Sequence, residues 1–396
     1  MIALGSRKAV AAVVLLFCYN GVVIGAYAAA IPVLQARFAL TPQALSVVLI
    51  TMGVAAITSM QISGRLSDRL GARRVSLAMI PLLLVGAAVI GQAGSMVWVF
   101  VGAVLLGLGN GGIDVAMNAL GVQVEKQRPK PIMSFFHGMW SVGNLVGAAL
   151  LVLITPLFAG DVQISARVST GIAAGLGVVA FAIGVWIVPE TEPVDHTDTA
   201  TGVKAPIPAS AYLLGLMAIA FGLGEGTGMD WSSLQVTQVA GVSPAIGSLG
   251  VTVMAAFMVV IRLLGDFLVL RIGRRAITRF GGACSALGYL IAATATSLPL
   301  LLLGWALVGL GIGMIAPQVY AVAGYLAGGR GLAVVVTFGY ATFLVAPAFI
   351  GWLVATFGIQ HAMFVPAVLL SSLLVLARVM PSPQDDPSIA APESIS

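Results

Sequence analysis

The feature that most constrains this chain is a succession of apolar runs separated by short polar loops. The runs lie at residues 9–34, 43–63, 75–95, 97–122, 132–158, 168–188, 209–235, 244–269, 277–296, 298–325, 331–356 and 360–379. A run of about 20 apolar residues is long enough to cross a bilayer as a helix. With 59% hydrophobic and 8% charged residues, a soluble domain of this length is excluded, because much of its exterior would have to be polar. The sequence therefore predicts an all-α membrane protein with twelve spans.

The basic residues predict on which side of the membrane the loops lie. Of the 19 lysines and arginines, all except Arg37, Arg167 and Arg262 fall on the side of the N-terminus. Loops rich in Lys and Arg stay in the cytoplasm, so both termini are predicted to be cytoplasmic, in a multi-pass protein of the cell inner membrane. This distribution accounts for the formal charge of +5, and no nucleic-acid binding is expected.

A polar stretch in the middle of the chain, PETEPVDHTDTATGVKAPIP, separates two halves. The predicted domains are an N-terminal six-helix bundle (1–189), a cytoplasmic linker (190–208), a C-terminal six-helix bundle (209–380) and a disordered tail (381–396). The halves resemble one another, since GLGNGGIDVAMN at 107–118 aligns with GLGIGMIAPQVY at 309–320. Two six-helix repeats of like orientation indicate a transporter whose halves rock about a central site.

The sequence contains no motif typical of enzymes. We find no paired-histidine metal motif, nucleophile elbow or phosphate-binding loop. Cys18 and Cys284 both lie within apolar runs, so neither a disulfide framework nor a metal cluster is expected. The chain is therefore predicted not to be an enzyme and to bind neither a cofactor nor a metal.

The loop GRLSDRLGARR, between the second and third spans, and its degenerate copy GDFLVLRIGRR, between the eighth and ninth, resemble the loop signature of the major facilitator superfamily. GIDVAMN, FFHGMWSVGNLVGA and EGTGMDWS resemble the branch around the rhizopine-associated protein MosC, which is loosely similar to fucose permeases. The resemblance implies the major facilitator fold and a secondary carrier, proton-linked or passive, with its site between the halves.

The same resemblance implies roles for the loop residues. Gly64 is expected to permit close helix contact. Asp68, Arg69 and Arg73, with Asp266 in the degenerate copy, are expected to form a cytoplasmic latch that holds the outward-facing state. Such a latch is physically reasonable, because an acid near a helix N-terminus and arginines at an interface can be separated and rejoined. A second interpretation, in which the arginines only set the topology, stays open.

Span four carries the first group of candidate site residues. Asn110, Asp114 and Asn118 recur at every fourth residue, which places them on one helical face. A carboxylate at membrane depth costs several kcal/mol unless it faces protein or water. In the second half the residues aligned with Asp114 and Asn118 are Ala316 and Tyr320, so the fold does not require polarity there. We predict that these residues bind a solute; bridging between helices or a structural pairing of Asp114 are the alternatives.

Other spans supply polar residues that are predicted to bind the same solute. Span five presents His137, Ser141 and Asn144 at helical spacing, and a packed neutral histidine is the alternative for His137. The remaining predicted solute-binding residues are Asn20 and Tyr27 in span one, Gln318 in span ten and Tyr340 in span eleven.

Span seven carries a second intramembrane acid, Glu225, in FGLGEGTGMDWSS. The neighbouring glycines predict a local break or hinge in this helix, because glycine is unfavourable in a helix interior. Glu225 and Asp114 are the predicted proton-coupling residues. Asp230 is interpreted as a solvated or capping acid near the external face. Arg262, four residues before Asp266, is interpreted as half of a structural ion pair.

Together these features predict a monomeric secondary active transporter in a lipid bilayer. It would move a small polar solute, a sugar, polyol or amino sugar, by alternating access with proton coupling. A multidrug or antibiotic efflux transporter is the first alternative and predicts a wider, more apolar cavity. A non-transporting membrane sensor is the second.

Overall fold

The computed structural model describes residues 2–128, 132–191 and 208–382, and all regular elements among these residues are helical. The first half contains α1 (Arg7–Phe38), α2 (Pro42–Leu70), α3 (Ala72–Gln92), α4 (Met96–Lys126), α5 (Met133–Ile154) and α6 (Val162–Ile187), with a 3₁₀ turn at Thr155–Phe158. The second half contains α7 (Ala209–Ala240), α8 (Pro244–Gly247), α9 (Leu249–Thr294), α10 (Leu298–Phe357), α11 (Ile359–Ala362), α12 (Phe364–Ser371) and α13 (Leu373–Leu376), with a 3₁₀ turn at Ala377–Val379.

Short local signals fix where several of the helices begin. The Ser6 hydroxyl accepts a hydrogen bond from the amide of Ala9 at the start of α1. Thr41 caps α2 in the same way, with Pro42 at the first helical position. The Asp161 carboxylate caps α6 by accepting from two amides of its first turn. Such caps satisfy amide groups that have no partner within the helix.

Two of the long elements each contain two membrane spans. In α9 the spans meet at Gly273, whose φ of 81° lies in the left-handed region that glycine tolerates. In α10 the chain turns back between Tyr320 and Gly339. The evidence is that the Tyr320 hydroxyl lies only 3.1 Å from the position that a β-carbon on Gly339 would occupy. In a straight helix these residues would be about 28 Å apart.

The span count agrees with the twelve spans expected from the sequence. Among the described residues, eleven helices are long and apolar enough to cross a membrane, and the shorter apolar helix Val345–Phe357 completes the set.

The predicted break in α7 is wrong. This helix runs without interruption from Ala209 to Ala240. Its glycines serve close packing instead: a β-carbon on Gly224 would lie 2.9 Å from the Leu370 side chain, and one on Gly228 would lie 2.5 Å from the Met254 sulfur. Tertiary packing therefore offsets the low helix propensity of this glycine-rich segment.

Helices α1 and α5 pack backbone against backbone along a glycine seam. A β-carbon on Gly25 would lie 2.0 Å from the backbone oxygen of Asn144, and one on Gly147 would lie 2.0 Å from that of Val22. No side chain fits at these distances, so small residues permit this approach. Gly21 and Gly143 belong to the same seam.

Helices of each half pack mainly on helices of the same half, and the halves meet through a few pairs. α1 contacts α7 and α9, α5 contacts α9, and α2 contacts α10. Residues 192–207 and 383–396, where the linker and most of the tail were predicted, lie outside the described residues. The domain boundaries therefore stay a prediction.

The halves touch at the end of the bundle where α1 ends and α2 begins, which is the predicted external face. Gln238 of α7 donates a hydrogen bond of 3.3 Å to Gln35 of α1. Ser46 of α2 packs directly on Gly351 of α10, where an added β-carbon would overlap the Ser46 hydroxyl. Below these contacts, Ala28, Ala29, Val33, Ala148, Leu151 and Ala166 of the first half form one apolar cluster with Met229 and Val251 of the second. This end of the bundle is closed.

Candidate functional site

Three helices of the first half share a hydrogen-bonded network around Asn20. The Asn20 side-chain amide donates to Asn110 Oδ1 on α4 at 2.8 Å, and its oxygen accepts from the Trp140 indole nitrogen on α5 at 2.6 Å. Asn20 is buried and uses both ends of its amide here. It therefore positions Asn110, whose own amide nitrogen has no hydrogen bond to the described residues.

Asp114 lies on the face of α4 that is turned toward α1 and α2. One turn earlier, Asn110 bonds to α1, and Gly111 packs on the backbone of Ala56 in α2. On the surface of α4, Asp114 lies between the direction of Asn110 and the direction of Gly111. Because α1 and α2 each contact the second half, the gap between them faces that half. Asp114 is half-buried and accepts a hydrogen bond of 3.3 Å from Asn118.

Arg262 on α9 connects the two halves. One guanidinium nitrogen donates to Ser141 of α5 in the first half. Another donates to Glu225 of α7 at 3.4 Å, and Nε donates to the backbone oxygen of Gly313 in α10 at 3.4 Å. The side chains of Arg262 and Glu225 are only 10% and 15% exposed. Because both side chains are buried, removing either one would leave the other as an uncompensated buried charge.

These contacts form an almost continuous polar path across the bundle. Asn110 and Asn20 lead to Trp140, which is followed in the chain by Ser141, and Ser141 leads through Arg262 to Glu225. The path joins α4, α1, α5, α9 and α7. Polar side chains at membrane depth generally face the bundle interior and mark solute or ion pathways.

The other predicted residues of α5 have different environments. His137 has an exposed side chain whose ring lies nearly perpendicular to that of Phe17, with the ring centroids 5.2 Å apart. Asn144 is buried against α1, and its side-chain nitrogen lacks a hydrogen-bond partner. The helical face predicted from spacing therefore has three different environments. His137 has an exposed side chain, Ser141 bonds to Arg262 of the other half, and Asn144 is buried against α1.

Tyr27 and Gln318 lie away from the polar path. Tyr27, whose hydroxyl is buried, lines a pocket with residues of α3 and α6. Gln318 is buried, and its side-chain oxygen accepts a hydrogen bond from Arg274. The side chain of Tyr340 lies outside the described part of the structure. Their roles as solute-binding residues stay predictions.

The residues expected to form the latch are only partly described. A β-carbon on Gly64 would meet Val115 at 3.7 Å, an ordinary contact, whereas Gly107 and Gly111 make the close approach of α4 to α2. Arg69 is exposed, and the side chains of Asp68 and Asp266 lie outside the described part. The latch itself stays a prediction.

Arg73 binds within its own half. Its guanidinium donates to the backbone oxygens of Val188 and Val185 at 2.9 and 2.8 Å, at the C-terminal end of α6. It also pairs with Glu190 at 3.0 Å. A cation at a helix C-terminus satisfies carbonyl groups that otherwise lack partners. Arg73 thus fastens α3 to α6.

Replacing Arg73 with glutamine is expected to lower the stability of the purified protein. Hydrogen bonds to a charged group contribute about 1.5–3 kcal/mol, and partial exposure reduces this. The melting temperature should fall for Arg73→Gln and stay unchanged for Arg74→Gln, because the neighbouring Arg74 is exposed. Equal melting temperatures for the two variants would contradict the assignment of Arg73 as a link to α6.

Sequence reasoning missed three residues of this region. Arg262 was paired with Asp266, but its described carboxylate partner is Glu225. Trp140 holds Asn20, a role that no spacing indicates. Asp230 does not cap α7, which continues ten residues further to Ala240, and its charge acts on Tyr27 of the other half. Each of these contacts joins residues of different helices, so no local sequence pattern predicts it.

Comparison with known proteins places the chain in a family. The family model of the Major Facilitator Superfamily matches residues 13–225 and 209–395. The chain belongs to this superfamily. The uncharacterized transporter y4wD of Sinorhizobium fredii is 32% identical over 368 residues, which cover 92% of this chain and 96% of that protein. The membrane protein MosC of Rhizobium meliloti is 28% identical over 92% of this chain and 88% of its own length.

Solved structures of the superfamily share the fold at low sequence identity. The nucleoside transporter NupG matches with a TM-score of 0.67 and 13% identity, over 94% of this chain and 98% of that chain. A bacterial homologue of the human lysosomal transporter Spinster, inward-facing and occupied, matches with a TM-score of 0.69 and 15% identity, over 94% and 97%. The expected major facilitator fold is confirmed, and the chain is a multi-pass membrane transporter.

Proposed function

We propose that this transporter moves a small hydroxyl-bearing solute, a sugar, polyol or amino sugar, across the cell inner membrane with proton coupling. It would act as a monomer with both termini in the cytoplasm. The observation that carries the proposal is the polar face of α4, directed between α1 and α2 toward the second half.

The free hydrogen-bonding atoms of that face suit a solute rich in hydroxyl groups. Asp114 offers carboxylate oxygens, Asn118 an amide oxygen and Asn110 an amide nitrogen, all on half-buried side chains. A hydroxyl group both donates and accepts, so acceptors and donors side by side can hold neighbouring hydroxyls. Nucleosides, named for the structural neighbour NupG, carry hydroxyl groups of this kind.

Proton coupling is proposed to act through Glu225 and its contact with Arg262. A proton on Glu225 would remove the charge that attracts Arg262, and Arg262 also bonds to Ser141 of the other half. Loading Glu225 would therefore release Arg262 from α7, and its guanidinium would no longer be held in place against Ser141. A carboxyl that meets water in one state and protein in the other changes its proton affinity between states, which is sufficient for coupling.

A ligand screen tests the solute class directly. A solute that binds only the folded protein raises its melting temperature by mass action, so sugars, polyols, amino sugars and lipophilic cations are compared on the purified protein. We expect stabilisation by a member of the first three groups. Stabilisation by lipophilic cations alone would contradict the proposal and favour an efflux transporter.

Asp114→Asn is expected to weaken binding of the selected solute by about 10–100-fold, because a charged acceptor contributes about 1.5–3 kcal/mol to its hydrogen bonds. Asp230→Asn is the matched control: it removes another intramembrane acid, on α7, and should leave the affinity unchanged. Equal affinities for Asp114→Asn and the wild type would remove Asp114 from the binding site.

A further inference from the structure

A pocket opens between α1, α3 and α6 at the predicted external face, and nothing in the proposed transport cycle uses it. Helix α1 contributes Tyr27, Leu34 and Arg37, which recur on one face, and α6 contributes Gln163 and Arg167. Ile90 and Gly91 of α3 complete the wall. All three helices belong to the first half, so the pocket does not depend on contact between the halves.

The pocket brings two positive charges together. Arg37 and Arg167 both line it and lie close enough to repel each other. Neither guanidinium forms an ion pair with an acid of the described residues. The nearby acid Asp161 is occupied in capping α6. Like charges held together without a counter-ion are unfavourable, so the site lacks a negative charge.

A tyrosine with a buried hydroxyl lines the same pocket. The Tyr27 side chain is 5% exposed, and its hydroxyl has no hydrogen-bond partner. A buried polar group without a partner costs about 1–3 kcal/mol, so an oxygen that accepts this hydrogen bond would be stabilising. Asp230, whose charge also acts on Tyr27, does not line the pocket.

We propose that this pocket binds an oxyanion of the phosphate class. Arg37 and Arg167 would supply the opposing charge and the Tyr27 hydroxyl would donate to a phosphate oxygen. Planar guanidinium groups match phosphate oxygens in geometry and charge. The pocket volume of about 30 Å³ accommodates one face of a phosphate group rather than a whole organic molecule, so the ligand would remain partly outside.

The surface next to the pocket favours a phosphate group that belongs to a lipid of the bilayer. Beyond the pocket, α6 exposes large apolar side chains typical of a surface against acyl chains: Ile172, Leu176, Val178, Val179, Phe181, Ile183 and Trp186. A phospholipid whose chains lie on this surface would bring its headgroup to the level of Arg167. A free phosphate ion has the same chemistry, and the two sources are separable by experiment.

The test measures the melting temperature of the detergent-purified protein during titration. One arm adds short-chain phosphatidylglycerol, a second adds short-chain phosphatidylcholine, and a third adds inorganic phosphate. We expect stabilisation by phosphatidylglycerol above that by phosphatidylcholine, with an apparent affinity at least about tenfold weaker in the double variant Arg37→Gln/Arg167→Gln. If inorganic phosphate also stabilises the protein, the pocket is a general phosphate site. If only phosphatidylglycerol does, the pocket is a site for a lipid headgroup.

Matched variants keep the result interpretable. Arg271→Gln removes one guanidinium outside the pocket and should titrate like the wild type. Arg271 stacks on Phe267 at 5.1 Å, as Arg37 stacks on Phe38 at 5.2 Å. Tyr27→Phe should weaken binding several-fold without changing net charge. The melting temperature without ligand shows whether each variant is folded. The proposal is overturned if neither anion stabilises the wild type, or if a folded double variant responds equally.

Discussion

Replacing Glu225 with glutamine is expected to abolish solute accumulation driven by a pH gradient while preserving exchange of solute across the membrane. Glutamine keeps the size of the side chain and can still accept a hydrogen bond from Arg262, but it holds no exchangeable proton on a carboxyl. The variant would therefore behave as though permanently protonated, with the inside-to-outside ratio of solute falling to about one because no gradient is linked to the cycle.

The measurement is uptake of the solute selected by the stability screen into proteoliposomes, with and without an imposed pH gradient. Asp230→Asn removes an intramembrane acid from the same helix and should accumulate solute like the wild type. Arg262→Gln should also lose accumulation, since it leaves Glu225 without its cation. If Glu225→Gln accumulates solute at the wild-type ratio, proton coupling does not pass through Glu225, and if Asp114→Asn does so as well, it passes through neither acid.

The largest effect on stability is expected at the glycine seam between α1 and α5. In Gly25→Ala, the new β-carbon would lie 2.0 Å from the backbone oxygen of Asn144, and a backbone cannot turn aside as a flexible side chain can. The helices must separate along the seam, which is more severe than the overpacking that typically costs about 1–3 kcal/mol. Gly147→Ala, on the opposite helix, is expected to have the same effect.

Melting temperature and the yield of monodisperse protein after purification report this loss. Gly175→Ala is the control, because Gly175 lies in α6 with no atom within 4 Å of the added carbon. That substitution should be neutral or slightly stabilising, since alanine is favoured over glycine in a helix interior. Wild-type stability for Gly25→Ala would mean that the seam is looser than the contacts described here.

Most of the fold was predictable because a bilayer demands it. Apolar runs long enough to cross the membrane gave the number of helices, and the basic loops gave a predicted orientation. The sequence did not show that Gly273 alone would separate two spans, nor that the glycines around Glu225 would stay helical. Around Glu225, close packing with neighbouring helices rather than local propensity decided the backbone.

The candidate site was predictable only in part, because spacing identifies a helical face but not what that face meets. The period of four correctly grouped Asn110, Asp114 and Asn118 on one side of α4. The same logic placed Tyr27 with Asn20, yet Tyr27 lines a pocket with α3 and α6. The partner of Glu225 lies 37 residues further along the chain, and no local pattern encodes the register of α7 against α9.

The closed end of the bundle, on the predicted external side, has a consequence for how the carrier responds to its surroundings. Amide, hydroxyl and methyl groups make up the contacts there, from Gln35 and Gln238 to Ser46 and Gly351. Because these contacts carry no formal charge, we expect ionic strength to have little effect on them. Sensitivity to acidity or voltage would then come from the charged residues inside the bundle, Asp114, Glu225, Asp230 and Arg262, whose state would be transmitted to the closed end.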